Sequence, residues 1–333
     1  MKDKKNTKLG LVLIFIGLCL FSSSCSEKKT KVYRVGILSG LNYMSNTADG
    51  FMAKMTELGY IENKNIIYDY QKTDFDIAAY QRILKKFVVD KVDLIFVFPT
   101  EASIEAKAAV QGTNIPVVFG VANIEDVGLI NTVREPGGNI TGVRFPGPDL
   151  AIKRFEVMRE LAPNAKRMWV PYQRNYPIVT CQLEALRPVA ESAGITLIEF
   201  PADNAAEIQA ELSARAKEND IGIDAILFVA EPLAVTPEAF KVMGKFASEH
   251  KLPIGGAYMM VDGYGAIFGV NIEPSATGKQ AAVLADKIFK GTPAGTIPVI
   301  SAENFFQINY KVAQELGVTV PQGLLSSADE IIR

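Results

Sequence analysis

The sequence predicts an α/β protein built of two Rossmann-like lobes with parallel sheets. Apolar, β-branched runs of strand length alternate with segments of helical periodicity from Val32 onward, a pattern typical of doubly wound parallel sheets. A cluster of turn residues between Glu135 and Pro148 interrupts this alternation, which then begins again. About 300 residues follow the N-terminal segment, enough for two lobes of ordinary domain size.

The first half contains the clearest strand and helix signals. Phe51, Met55 and Leu58 share one face of a helix that Gly59 ends. The segment 93–98 is almost entirely apolar, as expected for a parallel strand covered on both faces. The predicted strands are 32–38, 65–70, 93–98 and 115–119, and the predicted helices are 47–58, 77–87 and 100–110.

The second half repeats the alternation after a short strand at 140–144. The predicted helices are 149–161, 177–193, 204–218, 237–249, 275–290 and 309–316. The predicted strands are 167–171, 195–200, 224–229, 253–257, 265–270 and 305–308.

The N-terminus has the layout of an export signal. Four lysines precede an apolar run from Leu11 to Phe21, and three serines then lead to Cys25. This run of about eleven residues is too short to span a bilayer as a helix. The serines and Cys25 resemble a bacterial lipobox, with Ser22 where leucine is usual, so we expect a lipoprotein signal at 1–24, lipidation of Cys25 and a tether at 25–31. The alternative is an ordinary secretory signal followed by a chance cysteine.

Composition limits the possible functions of the body. The net charge is −2 and no basic run follows the signal, so we predict no nucleic-acid partner. Cys181 is left without a disulfide partner, and His250 is the single histidine, so we predict no metal site and no cofactor. No phosphate loop or nucleophile elbow is present in the sequence, and we predict a protein that is not an enzyme.

Several segments, in this order, resemble the ABC-transporter substrate-binding family typified by the tryptophan-binding lipoproteins. The most specific are Pro136-Gly-Gly-Asn-Ile-Thr-Gly142 and Ile308-Asn-Tyr-Lys-Val-Ala-Gln-Glu-Leu-Gly317 with Pro321. The others are 58–65, 93–97, 100–102, 115–119, 161–165 and 284–291. The resemblance implies a type I periplasmic-binding-protein fold, in which the chain crosses three times between the lobes. It places 32–142 plus 266–300 in an N-terminal lobe and 143–265 plus 301–333 in a C-terminal lobe.

Two departures from the family pattern concern the ligand. Members typically carry a Ser-Glu-x-Asn-Ser-like stretch where this chain has Pro171-Tyr-Gln-Arg-Asn-Tyr-Pro177, and only Asn175 has a plausible counterpart. Glu231-Pro232 stands where an Asp-Asn-like pair is common. The ligand of the tryptophan binders is therefore not transferred to this chain.

The expected binding site follows from sheet geometry. Ligands of open α/β sheets bind beyond the carboxyl ends of the strands, and two facing lobes place those ends along one cleft. The loops expected there give these ligand-binding candidates: Ser39, Gly40, Asn42, Tyr43, Thr73, Pro99, Thr100, Glu101, Ala102, Gly120, Val121, Phe145, Tyr172, Arg174, Asn175, Tyr176, Glu231 and Tyr258.

Three of these candidates suggest specific chemistry. Thr100 begins a helix whose free N–H groups favour an anion, although it is equally well explained as an N-cap. Arg174 is expected to grip a carboxylate, and Glu231 to receive an ammonium group. For Tyr172 and Arg174 the alternative is a solvated surface loop, and for Glu231 a solvated acid.

The sequence thus predicts an exported, monomeric solute-binding lipoprotein of an ABC importer, held at the outer face of the cytoplasmic membrane or in the periplasm. Its partners would be a membrane permease and a small molecule, with an amino acid or related carboxylate favoured. The alternatives are a ligand-sensing input domain or an enzyme on the same two-lobe scaffold, or a binder of purines or nucleosides stacked between Tyr43 and Tyr172.

Overall fold

The structure is a computed structural model that describes residues 31–333 apart from the side chain of Tyr43. The predicted export signal and Cys25 lie outside the described residues. Residues 33–333 form one compact unit, which contains two large sheets. Within residues 31–333, no helix has the length and apolar character needed to cross a bilayer.

The first lobe is a six-stranded parallel sheet in the order β13-β5-β4-β3-β1-β2. Its strands are β1 (Tyr33–Ser39), β2 (Ile66–Lys72), β3 (Leu94–Phe98), β4 (Val117–Ala122), β5 (Ile140–Arg144) and β13 (Ile300–Ser301). Its helices are α1 (Asn46–Glu57), α2 (Ile77–Val89), α3 (Thr100–Ala109) and α8 (Pro274–Phe289). All residues of β3 and β4 are buried, which explains their continuous apolar sequence.

The second lobe is a seven-stranded sheet in the order β15-β14-β12-β9-β8-β6-β7. Its strands are β6 (Arg167–Gln173), β7 (Thr196–Ala202), β8 (Ala225–Leu227), β9 (Ile254–Gly256), β12 (Phe268–Ile272), β14 (Asn304–Asn309) and β15 (Glu330–Ile332), and β10 (Met260–Val261) pairs with β11 (Tyr264–Gly265) as a separate hairpin. Its helices are α4 (Gly147–Leu161), α5 (Val179–Ser192), α6 (Ala205–Arg215), α7 (Pro237–His250), α9 (Tyr310–Glu315) and α10 (Gln322–Ser327). The pairing of β12 with β14 is antiparallel and the other pairings are parallel.

The chain passes between the two sheets three times: after β5, after β12 and after β13. The two-lobed α/β fold predicted from the sequence is confirmed. Helix α8 packs against α1 in the first lobe, and β14 and α9 lie in the second.

One predicted boundary requires correction. The sequence placed residue 266 onward in the first lobe, but β12 pairs with β9 and β14 in the second sheet. The physical reason is burial: Phe268 packs into that sheet, and a Cβ atom built on Gly255 of β9 would lie 2.4 Å from the Phe268 ring. The second crossing therefore occurs after Ile272. The short elements β10, β11, β13, α10 and β15 were not predicted from the sequence.

Candidate binding site

A cavity of about 630 Å³ lies between the lobes, at the carboxyl ends of strands from both sheets. Residues at the end of β4 and in the segments that follow β1 to β4 line it from the first lobe: Leu41, Met44, Phe75, Pro99, Thr100, Glu101, Val121 and Asn123. Residues from the second lobe and the crossings complete it: Phe145, Arg154, Tyr176, Ile178, Val229 to Pro232, Val235 to Pro237, Ala257, Met259, Asn271, Ile272 and Pro274. The walls are mostly apolar and a few polar groups converge on the interior, as in small-molecule sites generally.

Two cavity residues have an uncommon backbone conformation. Phe75 and Val121 have positive φ angles of 52° and 51°, in the left-handed region that costs energy for residues with a Cβ atom. The cost is greatest for a β-branched residue such as Val121. Strain of this kind concentrates at binding and catalytic sites.

Thr100 uses its hydroxyl to join two strand ends. The Thr100 Oγ1 atom accepts a hydrogen bond from the backbone N–H of Asn123 at 2.9 Å. Helix α3 has no side-chain cap at its start, so the N-cap predicted for Thr100 is not formed. The carboxyl ends of β3 and β4 are thereby held together at the cavity.

Glu231 accepts three backbone hydrogen bonds: from the N–H groups of Gln173 at 2.9 Å, Leu233 at 2.7 Å and Ala234 at 2.6 Å. Burial raises the pKa of this carboxyl group, while the three N–H donors and the charge of Arg154 lower it, leaving the net pKa above its ordinary value. The main contribution of Glu231 is to shape the loop between β8 and α7.

Arg154 is the buried cation of the cavity. This α4 residue is 3% exposed. Its guanidinium donates to the carbonyl oxygens of Val270 at 2.9 Å and Phe228 at 3.2 Å, and to Asn271 Oδ1 at 2.8 Å. Burial lowers the pKa of Arg154 to about 10, and the negative charge of Glu231 opposes that shift. No carboxylate of the described residues forms an ion pair with it.

Seven sequence-predicted residues line the cavity: Pro99, Thr100, Glu101, Val121, Phe145, Tyr176 and Glu231. Other candidates from the first lobe lie behind or beside it. Ser39 is fully buried and donates to the Leu41 carbonyl at 3.2 Å, and Gly40 is enclosed by Tyr80 and Pro99. Ala102 is buried in α3, and Gly120 packs under Phe96. Asn42 is exposed, Thr73 lines a separate surface groove, and the side chain of Tyr43 lies outside the described residues.

Most of the tyrosine-rich loop after β6 lines a groove other than the cavity between the lobes. Tyr172, Arg174 and Asn175 line a separate groove on the second lobe, which Tyr176 also borders. Arg174 is 42% exposed and forms ion pairs at 3.1 Å with both Asp203 and Glu207. Tyr258 does not line the cavity, although its neighbours Ala257 and Met259 do. The structure therefore places Arg154, rather than Arg174, at the cavity between the lobes.

Several lining residues are not among the candidates chosen from the sequence, including Arg154, Asn123, Asn271 and Phe75. Arg154 lies inside a predicted helix, and no pattern in a single sequence distinguishes a buried arginine from a surface one. Asn123 lies in the loop after the fourth predicted strand, and this position at a strand end is the sequence feature that indicates a place at the cavity. Within residues 31–333, acidic, histidine and cysteine side chains do not gather in groups of three or more that could hold a metal ion.

Comparison with known proteins gives the family. Residues 35–332 match the family model described as ABC transporter substrate binding protein. The chain belongs to this family. Such proteins are extracytoplasmic solute-binding proteins and not enzymes.

Three relatives illustrate the similarity. A tyrosine-binding protein of Clostridioides difficile (strain R20291) is 28% identical over 290 residues, covering 85% of this chain and 81% of the relative. The ABC domain from Streptococcus pneumonia in complex with L-Trp is 23% identical, with a TM-score of 0.72 over 91% of this chain and 100% of that one. A ligand-free, open substrate-binding protein with adhesive properties from Clostridium difficile is 23% identical, with a TM-score of 0.75 over 90% of this chain and 99% of that one. At these identities the two solved structures establish the fold alone.

Proposed function

We propose that this chain is the solute-binding lipoprotein of an ABC importer and captures an amino acid, or a related small carboxylate, between its lobes. The observation that carries the proposal is the 630 Å³ cavity, which both lobes line from the carboxyl ends of their strands. Its volume is in the range of sites for small molecules, about 300–1,000 Å³. The name of the tyrosine-binding relative and the L-Trp bound to the structural neighbour support an amino acid.

Capture would proceed by closure of the lobes about the three crossings. A solute that contacts both lobes binds the closed state more tightly, and only such differential affinity shifts an open–closed equilibrium. The closed monomer would then deliver the unchanged solute to a membrane permease.

Anchoring would depend on Cys25. The lysines, the short apolar run and the serines before this cysteine support lipidation. More than one acyl chain holds a protein at a membrane far better than a single chain does. Expression of Cys25→Ser should move the protein from the membrane fraction to the soluble exported fraction. A wild-type protein that is already soluble after export would contradict the anchor.

The function is tested with purified protein and a panel of amino acids, nucleosides and sugars. A cognate solute should raise Tm in a concentration-dependent way, be recovered chemically unchanged, and reduce the radius of gyration measured by X-ray scattering. A solute that emerges transformed, or a radius of gyration that no binding solute changes, would contradict the proposal.

A further inference from the structure

Arg154 has hydrogen-bonding capacity that the protein itself does not use. A guanidinium carries five N–H donors, and in Arg154 one on Nε, one on Nη1 and one on Nη2 are taken by Val270, Phe228 and Asn271. One donor on each terminal nitrogen therefore has no acceptor among the described residues. All three acceptors are neutral, and no carboxylate among residues 31–333 forms an ion pair with Arg154. The negative charge of Glu231 offsets part of the cost of burying this cation, and the arrangement remains costly unless another group compensates it.

On the first lobe, Asn123 has a hydrogen-bond acceptor that lacks a donor. Asn123 is 3% exposed, its Nδ2 donates to the Glu125 carbonyl at 3.2 Å, and its Oδ1 has no hydrogen-bond partner among residues 31–333. Buried acceptors are almost always satisfied. Among residues 31–333, three other buried side-chain atoms lack a partner, in Thr47, Tyr68 and Trp169, and none of these residues lines the cavity.

We infer that Arg154 binds the carboxylate of the transported solute and that Asn123 Oδ1 accepts a hydrogen bond from a donor on the same molecule. The inference rests on the proposed function and specifies its ligand as an amino acid with an apolar or aromatic side chain. The carboxylate meets the second lobe, the amino group meets the first lobe, and the side chain lies against Met44, Phe145, Ile178 and Met259. Both groups gain their missing hydrogen-bond partners only when one solute contacts both lobes. The solute therefore binds the closed state more tightly than the open state, and this difference in affinity favours closure.

A purely structural role for Arg154 makes a different prediction. The guanidinium also ties α4 to the Val270 and Phe228 carbonyls of the second lobe, so its loss could weaken every ligand by loosening the lobe. Binding of the ligand carboxylate, in contrast, weakens only those ligands that carry a carboxylate. A comparison across matched ligands therefore separates the two roles.

The test uses L-tyrosine, L-tryptophan and L-leucine, each with its amide and its deaminated acid, titrated by calorimetry into the purified protein. Whichever amino acid binds, its amide should bind the wild type roughly 10- to 100-fold more weakly, the range for a charge-assisted hydrogen bond. In Arg154→Gln the acid and the amide should bind about equally, and in Asn123→Ala the amino acid and its deaminated acid should do so. Arg159→Gln, which changes an exposed arginine of the same helix, should keep the wild-type pattern.

Arg154→Lys guards against a variant that does not fold, because it keeps the charge and loses only the fork of donors. It should still prefer the acid over the amide, by a smaller factor than the wild type. Equal weakening of all three ligand forms in both Arg154 variants, or an unchanged preference in Arg154→Gln, would overturn the inference and leave the proposed function standing. The inference would also be overturned if the Tm of the wild type were raised only by solutes that lack a carboxylate. If no solute of any class raises Tm, the proposed function itself fails.

Discussion

Arg144 and Asp149 form an ion pair across the first crossing between the lobes, with 2.6 Å between Arg144 Nη2 and Asp149 Oδ2. Arg144 ends β5 of the first lobe and Asp149 lies in the first turn of α4 in the second. The same guanidinium donates to Glu125 Oε1 at 3.0 Å and to Ser301 Oγ at 2.9 Å. The Arg144 side chain thus contacts residues of both lobes and lies at the first and third crossings.

Arg144→Gln should lower the free energy of unfolding by about 1–2 kcal/mol, because it leaves the mostly buried Glu125 without its cation. Asp149→Asn should cost less than about 1 kcal/mol, since Asp149 is 60% exposed and surface ion pairs contribute little. Urea unfolding of both variants measures the difference. If both variants lost the same free energy of unfolding, loss of the ion pair with Glu125 would not account for the effect of Arg144→Gln.

The contact between α1 and α8 depends on two glycines. A Cβ atom on Gly278 would lie 1.9 Å from the Thr47 carbonyl oxygen, and one on Gly50 would lie 2.1 Å from that of Ser275. Backbone atoms cannot move aside as a side chain can, so Gly278→Ala should reduce the free energy of unfolding by about 3 kcal/mol. Gly323→Ala is the control, because its Cβ would meet nothing within 4 Å. Thermal unfolding of the two variants side by side would show whether close helix packing is the cause.

The alternation of strands and helices was predictable from the sequence because it depends on local periodicity. The predicted and observed ends agree to within a few residues for strongly patterned segments such as α7 and β3. The membership of β12 was not predictable, because a strand near a crossing can join either sheet and its neighbours are distant in sequence. Two-residue strands such as β10 and β13 carry too few residues to show a period.

The loops chosen from the sequence border the cavity between the lobes, and seven of the candidate residues line it. The sequence could not show which residues of each loop face the cavity, since loop conformation determines that. Arg174 stood out because it is charged and flanked by tyrosines, yet Asp203 and Glu207 hold it in a separate groove. Arg154 was not predicted as a site residue, because the feature that distinguishes it is its burial, which the sequence does not show.

Arg174→Ala therefore tests the sequence interpretation against the structure. The sequence interpretation expects weaker binding of a carboxylate, by about 1.5–3 kcal/mol. From the structure we expect an unchanged dissociation constant, and a stability change within about 1 kcal/mol because the ion pairs are exposed. Calorimetric titration with the cognate solute measures the first quantity. If Arg174→Ala weakened binding without lowering stability, Arg174 would be a ligand-binding residue after all.

Asn175 is expected to act through its backbone rather than through a ligand contact. Its φ angle is 58°, a left-handed conformation that asparagine and glycine tolerate better than other residues do. Asn175→Gly should preserve stability and binding, whereas Asn175→Ala should lower stability by about 1 kcal/mol. Chemical denaturation and ligand titration of the pair separate the roles, because a true ligand contact would be lost equally in both variants.

The pH dependence of stability should reveal the burial of Glu231. Burial holds its pKa above the ordinary value of 4.5, against the lowering effect of its three backbone donors and Arg154. The folded state therefore binds this proton more tightly than the unfolded state does, so the associated stabilisation is complete below pH 4.5 and is lost as the pH rises through the higher folded-state pKa. Relative to Glu231→Gln, the wild type should have its greatest advantage in Tm at acid pH and lose part of it towards neutrality.

Asp220 provides a control of opposite sign, because its hydrogen bond from Arg167 lowers its pKa to about 2 from 3.8. Its stabilising contribution is present above pH 3.8 and is lost as the pH falls through 2, so the wild type should gain on Asp220→Asn as the pH rises across that window. Thermal melts of the three proteins between pH 2 and 8 would give the two slopes. If the Glu231→Gln difference instead grew with rising pH, its three backbone donors would outweigh burial, and the carboxylate would be a net stabiliser of the loop beside the cavity.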